Sequence, residues 1–298
     1  MIEIKNLSKS YDKKKVLDNL NCNIKENSIY GLVGANGAGK STLLRLINGI
    51  LISDNGTIKV DGETITDNEQ LKQNMVFVPD DLFFYPNYSL NDMAKFYQAL
   101  YKKFDMPYLK ELATNLKLDL NSKIISFSKG MKRQCALILA LSTHANYMFF
   151  DETFDGVDPV IRNYFKKIIA TQMSNDKTTI IMTSHNLREL EDICDNLGLL
   201  YNGGILFESD IDSLKTNMYK VQISLKNDFS KDSFSNLDIL SFKKIGSIAT
   251  IIIKGDKDAS KSELEKLHPV ILDFLPLTLE EVFIYEMEAL GYEFNKMV

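Results

Sequence analysis

The segment GLVGANGAGKST, Gly31 to Thr42, places four glycines in twelve residues between an apolar run and the helical pattern KSTLLRLINGI. Glycine weakens strands and helices alike, so its concentration here calls for a ligand pressed close against the main chain. Gly34, the four residues ANGA, Gly39, Lys40 and Ser41 satisfy the spacing G-x-x-x-x-G-K-[ST], with a strand before and a helix after. In such a loop the backbone from Asn36 through Gly37, Ala38, Gly39, Lys40, Ser41 and Thr42 wraps a phosphate, and the helix directs its partial positive end at the same anion. Lys40 is expected to reach the β- and γ-phosphates of a nucleotide, and Ser41 to coordinate Mg²⁺.

The rest of the first two thirds alternates strand and helix. NSIYGLVG is a central strand, NMVFVPD another, Lys129 to Leu141 a helix, NYMFFDE a buried strand, Pro159 to Thr171 a helix and TTIIMTSH a further buried strand. This order predicts a parallel sheet covered on both faces, with functional residues beyond its carboxyl ends. GTIKVDGETI reads as an antiparallel pair near an edge, LGLLYNGGILFES as a hairpin turning at YNGG, and Ser89 to about Leu118 as a helical interruption. The strand Tyr147 to Phe150 ends in Asp151 and Glu152. Side chains alternate along a strand, so the two acids point different ways, Asp151 toward Mg²⁺ and Glu152 toward the attacking water. His185 ends the next apolar strand at the same edge and is expected near the γ-phosphate. A helix near Ile211 to Met218 should lead away from this region. Beyond it, YKVQISLK, IATIIIKG and KSELEKL predict a small α+β unit.

Composition excludes several alternatives. Lysine plus arginine total 35 against 40 for aspartate plus glutamate, a formal charge of −5, so no nucleic-acid partner is expected. Hydrophobic residues at 45% and charged residues at 25% are those of a folded globular chain. Cys22, Cys135 and Cys194 show no metal-ligand spacing and read as buried apolar residues in a reducing compartment. The opening MIEIKNLSKSYDKKKVLDNL has no basic leader followed by an apolar stretch, and segments such as CALILAL fall far short of the ~20 residues that span a bilayer. A membrane role would therefore need another chain to do the spanning.

With these motifs in order, residues 1–209 resemble the nucleotide-binding domain of ATP-binding cassette (ABC) proteins. The resemblance implies an α/β P-loop NTPase core of the ABC ATPase type, with an antiparallel β edge and a helical subdomain over about 89–145. Residues 210–298 would form a small C-terminal α+β accessory domain. It further implies that Tyr11 stacks on adenine and that Asp80, in FVPDD, occupies the glutamine-loop position near Mg²⁺ or water. FSKGMKRQ falls at the family signature, where Ser128 and Gly130 would grip the γ-phosphate bound by an opposing cassette. Asp158, in TFDGVDP, falls at the dimer-loop aspartate and His185 at the switch histidine. The implied protein is a Mg²⁺-dependent ATP hydrolase, working as a homodimer or heterodimer of cassettes on the cytoplasmic face of the membrane beside an integral membrane permease.

Three positions depart from the family pattern. Asp80 is shorter than the usual glutamine and charged, so its contact with Mg²⁺ or water would be indirect; Lys129 replaces a signature glycine, and Thr153 replaces a proline, leaving the dimer loop less rigid. SKGMKRQ and LTLEEVFIY resemble the ATPase subunits of type-2 bacterial exporters, including the staphylococcal-type exporters of amphipathic peptides. That implies outward transport of a peptide, an antimicrobial compound, a lipid or a polysaccharide. An importer ATPase and a non-transport regulatory ABC ATPase are the alternatives. The aromatic residues of DDLFFYPNYSLNDMAKFY, led by Phe83, Phe84, Tyr85 and Tyr88, are expected either to receive a coupling helix of the permease or to close the helical subdomain's own core.

Overall fold

The structure is a computed structural model and describes residues 1–154, 157–191, 193–211 and 218–289. It divides into two compact units, Met1–Glu208 and Ser209–Val298. In the first unit, β1 (Ile2–Tyr11), β2 (Lys14–Ile24) and β3 (Ile29–Val33) lead to the glycine loop, and α1 (Lys40–Ile47) follows it. Next come β4 (Asn55–Val60), β5 (Glu63–Thr64), α2 (Glu69–Lys72) and β6 (Met75–Val78), then the helices α3 (Leu90–Leu100), α4 (Met106–Asn115) and α5 (Lys129–Leu141). The unit closes with β7 (Tyr147–Asp151), α6 (Pro159–Asn175), β8 (Thr179–Ser184), α7 (Leu187–Glu191), β9 (Asn196–Tyr201) and β10 (Gly204–Asp210).

Six strands form one sheet in the order β10-β9-β3-β8-β7-β6. From β9 to β6 each neighbouring pair is parallel. Every residue of β3, β7 and β8 is buried, which is why these strands read as unbroken apolar runs rather than alternating ones. The register sets Val33 beside Ser184 and Asp151 beside Thr183, so the chain leaves three adjacent strands at one edge. The glycine loop, Glu152 and His185 all begin there.

A second, antiparallel sheet has the order β2-β1-β4-β5. α1 joins the two: its Leu43, Leu44, Leu46 and Ile47 share a buried cluster with Ile2, Leu7 and Leu17 of this sheet and with Leu32, Phe149 and Ile181 of the parallel one. Each such side chain stabilises the fold by about 1.5–3 kcal/mol. β2 was not among the strands expected from the sequence. VLDNLNCNI is rich in Asn and Asp, which strands disfavour, and register shifts along β1 and β2 break the period of two. The β9–β10 turn at Asn202 and Gly203 has φ of 46° and 80°, the paired left-handed geometry that suits a tight hairpin. α6 continues to Asn175, one turn past its expected end at Thr171.

The second unit contains β11 (Met218–Ser224), β12 (Asp238–Ile245), β13 (Ile248–Lys254), α8 (Lys257–Glu265), β14 (Ile271–Leu275) and α9 (Leu279–Ala289). Its sheet has the order β12-β13-β11-β14, and β13 and β14 both run antiparallel to β11. That is the split β-α-β arrangement, with its first helix reduced to a 3₁₀ turn at Lys231–Phe234. Val221, Ile223, Ile251, Ile253, Phe234 and Leu264 form its core. Of the helix expected at Ile211 to Met218, Met218 instead opens β11, and 212–217 lie outside the described residues.

Candidate active site

The glycine loop begins at the end of β3 and its last residue, Gly39, precedes α1. Gly39 has φ of 111°, and a Cβ there would lie 2.9 Å from Leu17 Cδ2 and 3.2 Å from the Val16 carbonyl oxygen. Only glycine combines that angle with that approach. As the N-cap of α1, Gly39 offers no side-chain hydrogen bond, so the first-turn N–H groups are left for an outside acceptor. Ala35, Asn36 and Gly37 are exposed, whereas Gly39 and Lys40 are buried.

The Lys40 side chain is 4% exposed. Its Nζ donates to the carbonyls of Gly34 at 2.7 Å and Ala35 at 3.3 Å, and lies 3.3 Å from Glu152 Oε1. The other carboxylate oxygen, Oε2, is 3.7 Å from His185 Nδ1. Beside this chain of three, Asp151 is 1% exposed, and its Oδ1 accepts from Ser41 Oγ at 3.0 Å and Thr183 Oγ1 at 2.8 Å. Asp151 and Glu152 therefore face different partners.

Glu152 stands in the left-handed region at φ 47°, a conformation that a residue with a Cβ seldom adopts. Hydrogen bonds hold it there. Its N–H points at the Thr183 carbonyl at 3.2 Å and the Thr183 hydroxyl at 2.9 Å, and its carbonyl accepts from Arg133 Nη1 at 2.7 Å. Thr153, in place of proline, is buried, and its hydroxyl lies within 3.4 Å of the Val78 carbonyl at the end of β6.

Several expected residues stand apart from this cluster. The Asp80 carboxylate, expected near Mg²⁺ or water, accepts from Arg133 Nη2 at 2.7 Å. Tyr11 is exposed, with Lys9 Nζ 6.0 Å from its ring centroid. Ser128 is the N-cap of α5, its hydroxyl accepting from Met131 N–H at 3.2 Å, and a Cβ on Gly130 would meet nothing within 4 Å. Asp158 caps α6 by accepting from Val160 N–H at 2.8 Å, while 155–156 of its loop lie outside the described residues. Among the described residues, none of Tyr11, Ser128 or Asp158 bonds to Lys40, Asp151 or Glu152.

Arg133 is the residue that the sequence reading passed over. It sits on the buried face of α5 with Leu137 and Leu141, and an arginine in such a row must find partners, which was the available signal. The three cysteines are buried, and burial pushes the Cys22 and Cys135 thiols up to about 12. They stay protonated and inert at neutral pH.

The arrangement suits a polyphosphate and a hard cation. A buried ammonium and an uncapped helix start oppose an anion, while the Ser41 hydroxyl and Asp151 carboxylate are oxygen donors. Among the described residues no group of three or more His, Cys, Asp or Glu could hold a metal alone. Mg²⁺ takes one or two protein oxygens and completes its shell from phosphate and water, and Ser41 and Asp151 would offer such a pair.

The chain matches the family described as ABC transporter over residues 17–155. The ABC transporter ATP-binding protein YtrB of Bacillus subtilis (strain 168) is 33% identical over 284 residues, covering 95% of this chain and 97% of that protein. The linearmycin resistance ATP-binding protein LnrL of the same organism is 31% identical over 212 residues, covering 69% and 68%. Among solved structures, an ATP binding subunit of an ABC transporter superposes with a TM-score of 0.66 at 25% identity, covering 72% of this chain and 92% of that one.

Proposed function

The chain belongs to the ABC transporter ATP-binding family, and on that premise we propose that it drives a separate membrane permease outward, two cassettes closing on ATP and reopening after hydrolysis. Its fold is that of a P-loop ABC ATPase, with a mixed α/β core, antiparallel sheets, a helical subdomain and a small C-terminal extension. No helix among the described residues is long and apolar enough to cross a membrane, which fits peripheral attachment through a permease.

One observation carries the reading: the contact chain Lys40–Glu152–His185 lies beside the Ser41–Asp151 pair at one sheet edge. Lys40 and the first turn of α1 draw the β- and γ-phosphates in and neutralise charge that develops on the phosphoryl oxygens. Ser41 and Asp151 would hold Mg²⁺, which supplies further charge neutralisation when bound. Glu152 orients a water in line with the γ-phosphorus and takes its proton as the new P–O bond forms and the bond to the β,γ-bridging oxygen breaks. His185 steadies the Glu152 carboxylate. The Ser128–Gly130 turn, with Ser128 exposed and capping its helix, is suited to meet the γ-phosphate held by an opposing cassette, with Tyr11 against adenine and Asp158 at the dimer loop.

The outward direction draws on the exporter-like SKGMKRQ and LTLEEVFIY and on similarity to a linearmycin resistance protein. The cargo classes proposed are peptides, antimicrobial compounds, lipids and polysaccharides. Glu152→Gln should keep nucleotide affinity while slowing phosphate release about 100-fold or more, as expected when a general base is lost. Lys40→Ala should lose affinity itself. Unchanged turnover in Glu152→Gln would sink the catalytic reading, and net inward movement of cargo through the copurified permease would sink the export reading.

A further inference from the structure

We infer that Arg133 is a positioning residue for Glu152, and that Asp80 serves as the anchor of that arginine rather than as a ligand of Mg²⁺ or water. The inference rests on the reading of Glu152 as the group that orients the attacking water. Arg133 is 3% exposed, and a guanidinium cannot shed its charge when buried, so the hydrogen bonds it makes there are not optional. Its two arms are divided between two targets at 2.7 Å each. Nη1 takes the Glu152 carbonyl and Nη2 takes Asp80 Oδ1.

Glu152 needs such a clamp because its backbone angle, φ 47°, is unfavourable for any residue but glycine and a few short polar ones. Thr183 on β8 fixes the N–H side of the residue, and Arg133 on α5 fixes the carbonyl side. Together they set the direction in which the side chain leaves the backbone. That direction brings its carboxylate within 3.3 Å of Lys40 Nζ and 3.7 Å of His185 Nδ1. A peptide swung by a few tens of degrees would carry the carboxylate away from both, and misplacement of a reacting group by about 1 Å is enough to cost about 100-fold in rate.

Asp80 supplies the other half. It lies two residues beyond β6, its side chain is 51% exposed, and its Oδ1 is committed to the guanidinium. A glutamine in its place could offer only a neutral oxygen, whereas the carboxylate makes a charge-assisted bond. The departure from the family pattern at position 80 and the buried arginine at position 133 are thus two parts of one device.

The test uses the purified full chain and four variants: Asp80→Ala, Arg133→Lys, their combination, and Glu152→Gln. Lysine keeps the charge but cannot span two targets with a planar fork, and it avoids the unfolding that a truncated Arg133 would risk. Each is measured for kcat and KM with ATP, half-saturating Mg²⁺ and affinity for a fluorescent nucleotide. Asp80→Ala and Arg133→Lys should each lower kcat about tenfold or more, with KM, nucleotide affinity and Mg²⁺ requirement within about twofold of the parent. The combined variant should be no slower than Arg133→Lys alone, because the two residues act as one unit. Parental kcat in either single variant, with Glu152→Gln inactive, overturns the inference and leaves the catalytic reading standing. So does a raised Mg²⁺ requirement in Asp80→Ala. Parental kcat in Glu152→Gln instead removes the reading on which the inference rests.

Discussion

Both units of the molecule fold around apolar cores, yet they differ in what else they bury. In Met1–Glu208, Lys40, Arg133, Asp151 and Glu189 are all buried; among the described residues of the second unit, the buried polar side chains are Ser224 and Ser260. Taking a charge out of water costs several kcal/mol unless partners replace the lost hydration, and well-packed apolar residues would stabilise a sheet at least as well. The second unit shows that β12-β13-β11-β14 needs no buried charge to form. Of those in the first unit, Lys40 and Asp151 lie in the candidate site and Arg133 bonds to the Glu152 carbonyl, while Glu189 pairs with Arg162. Glu152 takes a positive φ at the edge of the central sheet, while His268, the non-glycine residue with positive φ among the described residues of the second unit, lies in a turn three residues beyond the end of α8.

This contrast can be broken experimentally. Within the glycine loop the largest effect on nucleotide affinity is expected for Gly39→Ala, which meets both an unfavourable φ of 111° and a contact at 2.9 Å. It should cut nucleotide affinity at least about tenfold in a fluorescence titration, since loop strain of about 1–3 kcal/mol falls directly on the phosphate grip. Gly37→Ala, where a Cβ would meet nothing within 4 Å, should bear only the left-handed strain of about 1–2 kcal/mol. Equal losses from the two would mean that close approach at Gly39 is not what the loop depends on.

An effect on stability and none on nucleotide affinity is expected from Ile251→Ala in the second unit. Removing this buried side chain should lower that unit's unfolding free energy by about 2–5 kcal/mol, read as a separate urea transition, while nucleotide affinity stays at the parental value. A parallel loss of nucleotide affinity would show that the stability of the second unit's core is coupled to nucleotide binding by the first. The smallest effect is Ser89→Ala. It removes the capping box of α3, in which Ser89 and Asp92 bond reciprocally, and should cost about 1 kcal/mol in the first unit's transition. Turnover per folded molecule should be unaffected.

Much of the first unit could be read from residue order because its central strands are buried on both faces and hence uniformly apolar, and because the loop and the acids lie at strand ends. β2 could not. Its buried Leu17, Leu20 and Cys22 are interleaved with Asn and Asp, and bulges shift the register on which an alternating pattern depends. The site divides the same way. Lys40, Ser41, Asp151, Glu152 and His185 are each adjacent to a strand end or a helix start, so sequence position alone foretells that they gather at one edge. Arg133 lies 19 residues before Glu152 and 53 after Asp80, and no local pattern joins the three.

Sequence alone determined the phosphate-binding loop, the parallel arrangement that brings the carboxyl ends of β3, β7 and β8 together, and the residue types available there. These follow from local rules: glycine's freedom of φ, the apolar run of a doubly covered strand and the capping of helices. Tertiary structure alone decided which oxygen faces which nitrogen. It gave the Asp80 carboxylate to Arg133 and locked Glu152 in its strained backbone conformation. Hydrogen bonds reach only about 3 Å, so partners far apart along the chain are chosen by packing and by nothing the chain displays beforehand.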